Sequence, residues 1–323
     1  AMPAEQANGD DAFEEYDLPE TVGLIAAFIE GEGHSVVKLG GGREFLGNIL
    51  REKVDFVFNI AEGRGNYRSR EAQVPSILEM LNIPYSGSDP QCLAICLDKP
   101  LTKKMVASAG VCTPRWCVIN ESEELWQISD FGFPFPAIVK PACEGSSKGI
   151  RLNSVVDNAK QAREAIERLL EHYQQPAMLE EFIGGDEVTV GIIGNSPPKI
   201  LGIMRILPRR KAGYFLYSLE VKRDCFDLVD YECPACLEEK VLERIKLSSL
   251  NAFRVLGCRD FARLDFRISP EGVPHFLEIN PLPGLGTYSD LVIMAKKVGW
   301  THKELISAVL NAALERYPQC VRV

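Results

Sequence analysis

The chain has 323 residues, enough for two or three domains at roughly 150 residues each. Its 46% hydrophobic and 25% charged residues are typical of an ordinary globular protein. The net charge of −9 disfavours nucleic-acid binding, which needs a basic face. No run approaches the ~18 apolar residues of a membrane span, and the acidic start does not resemble a signal peptide. We therefore expect a cytoplasmic protein with no nucleic-acid partner and no membrane partner.

Ten cysteines are spread along the chain without the dense spacing of a disulfide scaffold. Cys233 and Cys236 form a lone CxxC pair, whereas a structural zinc site needs four ligands. Reduced, mostly buried thiols are expected.

The first third of the chain alternates between helical and extended patterns. Asp17, with Glu20 three residues later, predicts a capped helix that ends at Gly31. Strands are predicted over 35–39 and 54–58, and helices over 45–50 and 71–81. This alternation indicates a small parallel sheet, although nothing before Asp17 supplies its usual first strand.

From residue 98 onwards the pattern indicates antiparallel α+β structure. The predicted helices cover 99–109, 121–129, 157–172 and 237–256, with two more at the end of the chain. The predicted strands cover 115–119, 135–140, 150–156, 177–182, 188–193, 200–207, 259–268 and 274–279. A basic stretch with little periodicity, 208–223, has the character of a mobile lid.

Two consecutive strands carry polar residues on one face. Alternation places Arg263 and Asp265 together, opposite the apolar side of their strand, and places Glu278 with Asn280 on the next. Two carboxylates and an amide oxygen form a hard-oxygen set suited to Mg²⁺. A solvated sheet face with ordinary charges is the alternative.

The segment Glu144-Gly-Ser-Ser-Lys-Gly149 follows an apolar strand that ends at Lys140. Glycine and serine let such a loop aim N–H and O–H groups at phosphate, although a plain surface hairpin has the same composition. The loop also matches G-x-S-x-G, but that hydrolase motif needs a strand-to-helix elbow and 150–156 is predicted as a strand. Further along, Glu180 to Ile183 and Glu187 join two strands and are suited to an adenine and its ribose, with a simple hairpin as the alternative.

In this order the segments resemble the ATP-grasp fold, and within it the D-alanine–D-alanine ligase group. The resemblance extends from about residue 17 to the end and rests on Ile83-Pro-Tyr-Ser-Gly-Ser-Asp89, Leu97-Asp-Lys99, Val139-Lys-Pro141 with Glu144-Gly-Ser-Ser147, Leu179-Glu-Glu-Phe-Ile183 with Glu187, Arg263-Leu-Asp265, and Leu277-Glu-Ile-Asn280 with Pro283-Gly284 and Ser289. It implies an α/β and α+β molecule of three domains, 1–91, 92–183 and 184–323, with ATP clamped between two antiparallel sheets.

The resemblance also implies roles for individual residues. For ATP, it implies Lys99 and Lys140 on the phosphates, Lys222 on the γ-phosphate, Ser146 and Ser147 in the loop over them, Glu180, Phe182 and Ile183 at the adenine, and Glu187 on the ribose. For the metal, it implies Asp265, Glu278 and Asn280 on two Mg²⁺ ions, with Mn²⁺ as an alternative. For the reaction, it implies Arg263 and the Gly284 amide at the tetrahedral intermediate, and Ser289 on the carboxylate of the second amino acid. The implied reaction forms an acyl phosphate and then an amide, giving a dipeptide of the kind used as a peptidoglycan precursor.

The sequence departs from the family around the amino-acid pockets. The first strand and its early acidic residue, which holds the first substrate's amine, have no evident counterpart. Glu62-Gly63 replaces a His-Gly pair, Arg223 replaces an aromatic residue, and Asp290 replaces an apolar one. Asp290 is expected to be a solvent-facing acid at a helix start; alternatively, with Glu62, it selects a different amine.

Three hypotheses about function follow. The first is a D-alanine–D-alanine ligase-like enzyme, the second a ligase of other amino acids or of a secondary-metabolite amine, and the third a non-catalytic nucleotide-binding module. A homodimer is compatible with each of them.

Overall fold

The computed structural model describes residues 11, 14–130, 132–210 and 213–320. Its first part is mainly helical, with α1 at Pro19–Glu30, α2 at Arg43–Arg51, α3 at Gln73–Met80 and α4 at Pro90–Leu97. Helix α1 begins after Leu18, which makes no side-chain cap, so the predicted cap at Asp17 is wrong. The proposed domain boundary at 91/92 falls within α4 and stays a prediction.

The predicted parallel sheet is reduced, among the described residues, to one parallel bridge between Val57 and Tyr85. The segments 35–39 and 54–58 line a common cavity of about 2010 Å³ without forming a ladder with each other. An extended segment becomes a strand only when a neighbour satisfies its backbone N–H and C=O groups. Among the described residues, no strand pairs with both of these segments, which is the position that the usual first strand of such a sheet would take. The alternation therefore correctly predicted extended backbone but not a sheet.

A four-stranded antiparallel sheet follows, in the order β1-β4-β2-β3. Its strands are β1 at Trp116–Ile119, β2 at Ala137–Pro141, β3 at Val155–Val156 and β4 at Ala177–Glu181, and its helices are α5 at Lys99–Ser108, α6 at Gln127–Asp130 and α7 at Ala159–Tyr173. Helix α7 packs Ala162, Ile166 and Leu169 against the sheet. Of the predicted strand over 150–156, only β3 at Val155–Val156 forms, and a 3₁₀ turn at Leu152–Ser154 precedes it.

The second sheet has five antiparallel strands in the order β7-β6-β5-β8-β9. They are β5 at Asp186–Ile193, β6 at Lys199–Pro208, β7 at Val229–Glu232, β8 at Phe261–Ile268 and β9 at Pro274–Asn280. The helices of this part are α8 at Leu219–Arg223, α9 at Cys225–Leu228, α10 at Glu239–Val255, α11 at Asp290–Lys297 and α12 at His302–Leu314. The short elements α4, α8, α9 and β7 were missed because a few residues show no measurable period.

The two faces of β8 separate the core from the candidate site. Ala262, Leu264 and Phe266 pack into a cluster with α10, while Arg263 and Asp265 point to the opposite face. The predicted alternation is therefore confirmed. All ten cysteines are free thiols, and six of them are buried.

Candidate active site

A cavity lies between the two sheets and collects most of the predicted site residues. Its lining includes Lys140, Ser147, Glu180, Phe182, Ile183, Glu187, Lys222, Arg263, Asp265, Glu278 and Asp290. These side chains come from both sheets and the segments adjoining them, from the segment between β6 and β7, and from the start of α11. The structure thus brings together residues separated by about 150 positions, as the motif order implied.

The predicted metal ligands are adjacent across β8 and β9. Asp265 is paired with Glu278, and Arg263 with Asn280. Asp265 accepts hydrogen bonds from the Thr189 hydroxyl at 2.8 Å and from the Arg263 guanidinium at 2.9 Å. Among the described residues, the cations within ion-pair distance of the Glu278 carboxylate are Lys99 at 3.4 Å and Arg263 at 3.8 Å.

The two carboxylates differ in their pKa. Burial alone would raise the pKa of Glu278, but Lys99, Arg263 and other nearby cations lower it to about 2. Burial raises the pKa of Asp265, and the Arg263 charge offsets this only in part. Glu278 is therefore a fixed anion, and with Asp265 and the Asn280 amide oxygen it forms a hard-oxygen donor set that fits Mg²⁺.

A buried cluster of two lysines and one glutamate lies at the other side of the cavity, where Lys140 and Glu180 line it and Lys103 lies behind them. Lys140 donates to Glu180 at 2.9 Å, and the Lys103 ammonium lies 2.7 Å from the other oxygen of the same carboxylate. Burial lowers the pKa of Lys103 to about 8, despite this pairing. Sequence reasoning missed Lys103, although its position one helical turn after Lys99 places both on one face of α5.

Arg267 joins the segment after β4 to the second sheet. Its guanidinium donates to the Glu187 carboxylate at 2.9 Å and to the carbonyls of Ile183 and Gly185, and it stacks 4.4 Å from the centre of the Phe182 ring. The nucleotide segment predicted at Phe182 and Ile183 is thus held by an arginine that sequence reasoning missed. The alternation that placed Arg263 and Asp265 on one face would have extended to Arg267.

The glycine- and serine-rich loop lies close to the segment that carries Lys222. Ser146 and Ser147 both have left-handed backbone, with φ of 49° and 60°. The Ser147 hydroxyl donates to the Tyr217 carbonyl at 3.3 Å, and the ammonium of the half-buried Lys222 lies 5.4 Å from the centre of the Tyr217 ring. Part of the predicted lid is therefore in contact with the predicted phosphate loop.

An acidic residue near the chain start approaches the same loop from the larger cavity. Glu15 accepts from the Gly145 amide at 2.9 Å and from Arg70 at 2.6 Å, and Arg70 also donates to Glu144 at 3.0 Å. An early acidic residue thus reaches the glycine- and serine-rich loop, although the sequence offered no evident counterpart of the family's acidic residue. It was missed because Glu15 stands in a polar stretch without periodicity, and only tertiary contacts identify it.

Glu62 lines this larger cavity, together with Glu15 and Arg70, and not the cavity between the sheets. Burial, with Glu71 and Glu15 nearby, raises the pKa of Glu62 well above its usual range. The interpretation that Glu62 acts together with Asp290 is therefore wrong.

Asp290 is the first residue of α11, but its carboxylate does not face solvent. It lies 3.3 Å from the Arg263 guanidinium and is 10% exposed. The expectation of a solvent-facing acid is therefore wrong, because the packing of α11 turns this position inward. Ser289 precedes it as the N-cap residue, makes no capping hydrogen bond through its side chain, and packs against Gly284.

Comparison with known proteins identifies the family. The model of the D-ala D-ala ligase C-terminus matches residues 105–311. The chain belongs to the D-alanine–D-alanine ligase family. A D-alanine–D-alanine ligase of Aquifex aeolicus is 33% identical over 291 residues, which cover 89% of this chain and 92% of that protein. An uncharacterised protein of Sinorhizobium fredii is 32% identical over 303 residues, 91% of this chain and 87% of that protein.

Solved structures agree with this family assignment. The D-alanine–D-alanine ligase of Bacillus anthracis, solved in complex with ATP, superposes with a TM-score of 0.74 at 25% identity and covers 96% of both chains. The VanG D-Ala:D-Ser ligase of Enterococcus faecalis superposes with a TM-score of 0.66 at 25% identity, covering 81% of this chain and 74% of that one. The predicted ATP-grasp fold is confirmed, and the chain is an ATP-dependent ligase that forms a carbon–nitrogen bond. No helix among the described residues is long and apolar enough to cross a membrane.

Proposed function

We propose that this ligase activates the carboxylate of one amino acid and joins it to an amine. A donor carboxylate oxygen attacks the γ-phosphorus of ATP, the bond to the β-phosphate oxygen breaks, and ADP leaves. The acceptor nitrogen then attacks the acyl carbon, the carbon–oxygen bond to phosphate breaks, and the nitrogen loses one proton. The observation that carries the proposal is one cavity with Lys140 on one sheet and Arg263, Asp265 and Glu278 on the other.

The roles implied by the family fit this arrangement and are proposed for these residues. For the nucleotide, they are Lys99 and Lys140 at the phosphates, Lys222 at the γ-phosphate, Ser146 and Ser147 in the covering loop, Glu180, Phe182 and Ile183 at the adenine, and Glu187 at the ribose. For the reaction, Arg263 and the Gly284 amide stabilise the charge of the tetrahedral intermediate. Asp265, Glu278 and Asn280 would hold Mg²⁺ or Mn²⁺, which neutralises charge on the phosphate oxygens when bound.

The larger cavity is proposed to receive the donor amino acid. Glu15 is largely buried and lies beside the loop that contains Ser146. Arg70 and Lys148 lower the pKa of Glu15 despite its burial, so this carboxylate is ionised and able to hold a donor ammonium group. Glu62 lines the same cavity and is proposed as a neighbouring substrate contact.

D-alanine is the first candidate for donor and acceptor, because the relatives are named D-alanine–D-alanine ligases. The product would then be a peptidoglycan precursor. A ligase of other amines is the second candidate, favoured by the inward-facing Asp290. Since ATP is the co-substrate, we place the enzyme in the cytoplasm; the homodimer and the three domain boundaries stay predictions.

ADP release with a panel of D- and L-amino acids tests the proposal. Release with D-alanine alone supports the first candidate, and release only when another amine is added supports the second. No release with any pair of substrates, by a folded protein that binds ATP, would instead favour a nucleotide-binding module.

A further inference from the structure

Asp290 is held in place by the close packing of α11 on the second sheet. A Cβ atom at Gly191 would lie 2.8 Å from the Leu291 side chain, and one at Gly202 would lie 2.8 Å from that of Met294. These two glycines therefore let the helix approach β5 and β6 closely. The start of α11 is fixed relative to the sheet, and Asp290 with it.

The Asp290 carboxylate alters the charge balance at the reacting end of the cavity. Arg263 lies 2.9 Å from Asp265, 3.3 Å from Asp290 and 3.8 Å from Glu278. When a divalent cation is bound at Asp265 and Glu278, its charge offsets those two carboxylates. Arg263 and Asp290 then remain as an ion pair without net charge, so a carboxylate that approaches Arg263 also meets the Asp290 carboxylate.

Among the described residues, the remaining groups around Asp290 do not provide a second cation. Ser289, which the family resemblance assigns to the acceptor carboxylate, offers only a neutral hydroxyl, and the hydroxyls of Tyr217 and Tyr231 lie 2.6 Å apart and hydrogen-bond to each other. Lys222 is half-buried in the same cavity, and in the proposed mechanism its ammonium serves the γ-phosphate. A carboxylate in this space would therefore approach Asp290 without a cation of its own, whereas an ammonium or a neutral group would not be repelled.

The acceptor must enter this space. In the proposed function Arg263 stabilises negative charge at the reacting acyl carbon, and an attacking nitrogen has to lie roughly 3–3.5 Å from that carbon. Substituents on the carbon next to the nitrogen then lie within a few ångströms of Arg263 and of its partner Asp290.

We propose that Asp290 selects an acceptor amine with no free carboxylate beside the reacting nitrogen, such as an amino-acid amide or a diamine. This inference rests on the proposed ligase function and names the acceptor class of that site. It differs from the D-alanine acceptor that the names of the relatives suggest.

A competition experiment tests the inference. The enzyme receives ATP, Mg²⁺, a donor that supports ADP release, and equal amounts of D-alanine and D-alaninamide, which differ only in the charge of one group. The two products are measured by mass spectrometry, and their ratio gives the ratio of kcat/KM. We expect the amide product to exceed the acid product at least tenfold.

The variant Asp290→Asn keeps the size and hydrogen-bonding capacity of the side chain but removes its charge. We expect it to lower the product ratio at least tenfold, mainly through the KM of D-alanine. Glu239→Gln is the matched control, because Glu239 is an exposed acid at the first position of α10. This control should leave the ratio unchanged.

The outcomes separate the inference from the proposed function. A preference for D-alanine in the wild type, or an equal loss of both products in Asp290→Asn with an unchanged ratio, overturns the role of Asp290 and leaves the ligase function intact. Absence of ADP release with every donor and acceptor overturns the proposed function and the inference with it.

Discussion

Replacing Arg267 by methionine tests how the proposed adenine segment, Phe182 and Ile183, is held in place. The arginine side chain is 5% exposed and its partner Glu187 is 10% exposed, so the pair is shielded from solvent. The guanidinium also donates to the backbone carbonyls of Ile183, Gly185 and Phe215. Methionine fills a similar volume but leaves a buried carboxylate and three carbonyls without this donor.

The cost follows from these contacts. A hydrogen bond to a charged group contributes about 1.5–3 kcal/mol, and removing one partner of a buried ion pair costs about 3–5 kcal/mol because the other charge stays buried. We expect Arg267→Met to lower the free energy of unfolding by about 3–5 kcal/mol. Arg267→Lys keeps the charge but not the planar fork, and should therefore lower the free energy of unfolding less than Arg267→Met does.

Urea titration followed by circular dichroism measures both variants at 25 °C, with Arg254→Met as a control because Arg254 is exposed on α10. The KM for ATP gives a second readout, since Phe182 and Ile183 line the cavity. It should rise in Arg267→Met and stay unchanged in the control. A loss of stability below about 1 kcal/mol, or one equal to that of the control, would refute the argument.

Three further predictions concern a metal ligand, a buried acid and a turn. Asp265→Asn should abolish turnover while the circular dichroism spectrum is retained; activity within about threefold of wild type would contradict the metal assignment. Burial raises the pKa of Glu71 to about 8, so the folded protein keeps a proton that the unfolded chain releases above pH ~4.5, and stability should fall as the pH rises from there to 8. Thermal unfolding of Glu71→Gln should show a smaller fall, and Glu123→Gln, an exposed acid, should behave as wild type. Gly185 has φ +99° and a Cβ there would lie 2.0 Å from the Ile268 carbonyl oxygen, so Gly185→Ala should lower the free energy of unfolding by more than 1 kcal/mol; an unchanged urea midpoint would disprove this.

The sequence was most informative in the strands, where the two-residue repeat alone decides which face a side chain lies on. Alternation along β8 and β9 is enough to place Arg263 and Asp265 on one face, because a strand repeats every two residues whatever it packs against. The partner of each residue was not predictable, since the pairing of Asp265 with Glu278 depends on an irregularity in the register after Asp265. The local pattern thus predicts the face of the sheet on which a residue lies, but only the tertiary structure shows which residue lies opposite it.

The orientation of Asp290 could not be predicted from the local sequence pattern. A serine followed by an acid is a common helix start, and such an acid usually faces solvent. Here the orientation of α11 depends on Gly191 and Gly202, about 100 and 90 positions earlier in the chain. Glu15 is similar, because its partners Arg70 and Gly145 are separated from it by 55 and 130 positions. Contacts of this kind cannot be read from neighbouring residues.

The nucleotide side and the acceptor side of the cavity differ in how their charges are fixed. Glu180 is held by Lys103 and Lys140 together, and Lys103 also donates to two other groups, so a change at any one of them leaves another buried charge without its partner. A single substitution in such a network is therefore expected to destabilise the protein. Asp290, in contrast, has one arginine within ion-pair distance among the described residues, and that arginine keeps Asp265 if Asp290 is replaced. In the proposed site, a single substitution of Asp290 therefore changes the charge near the acceptor, while the contacts of Glu180 with Lys103 and Lys140 stay intact.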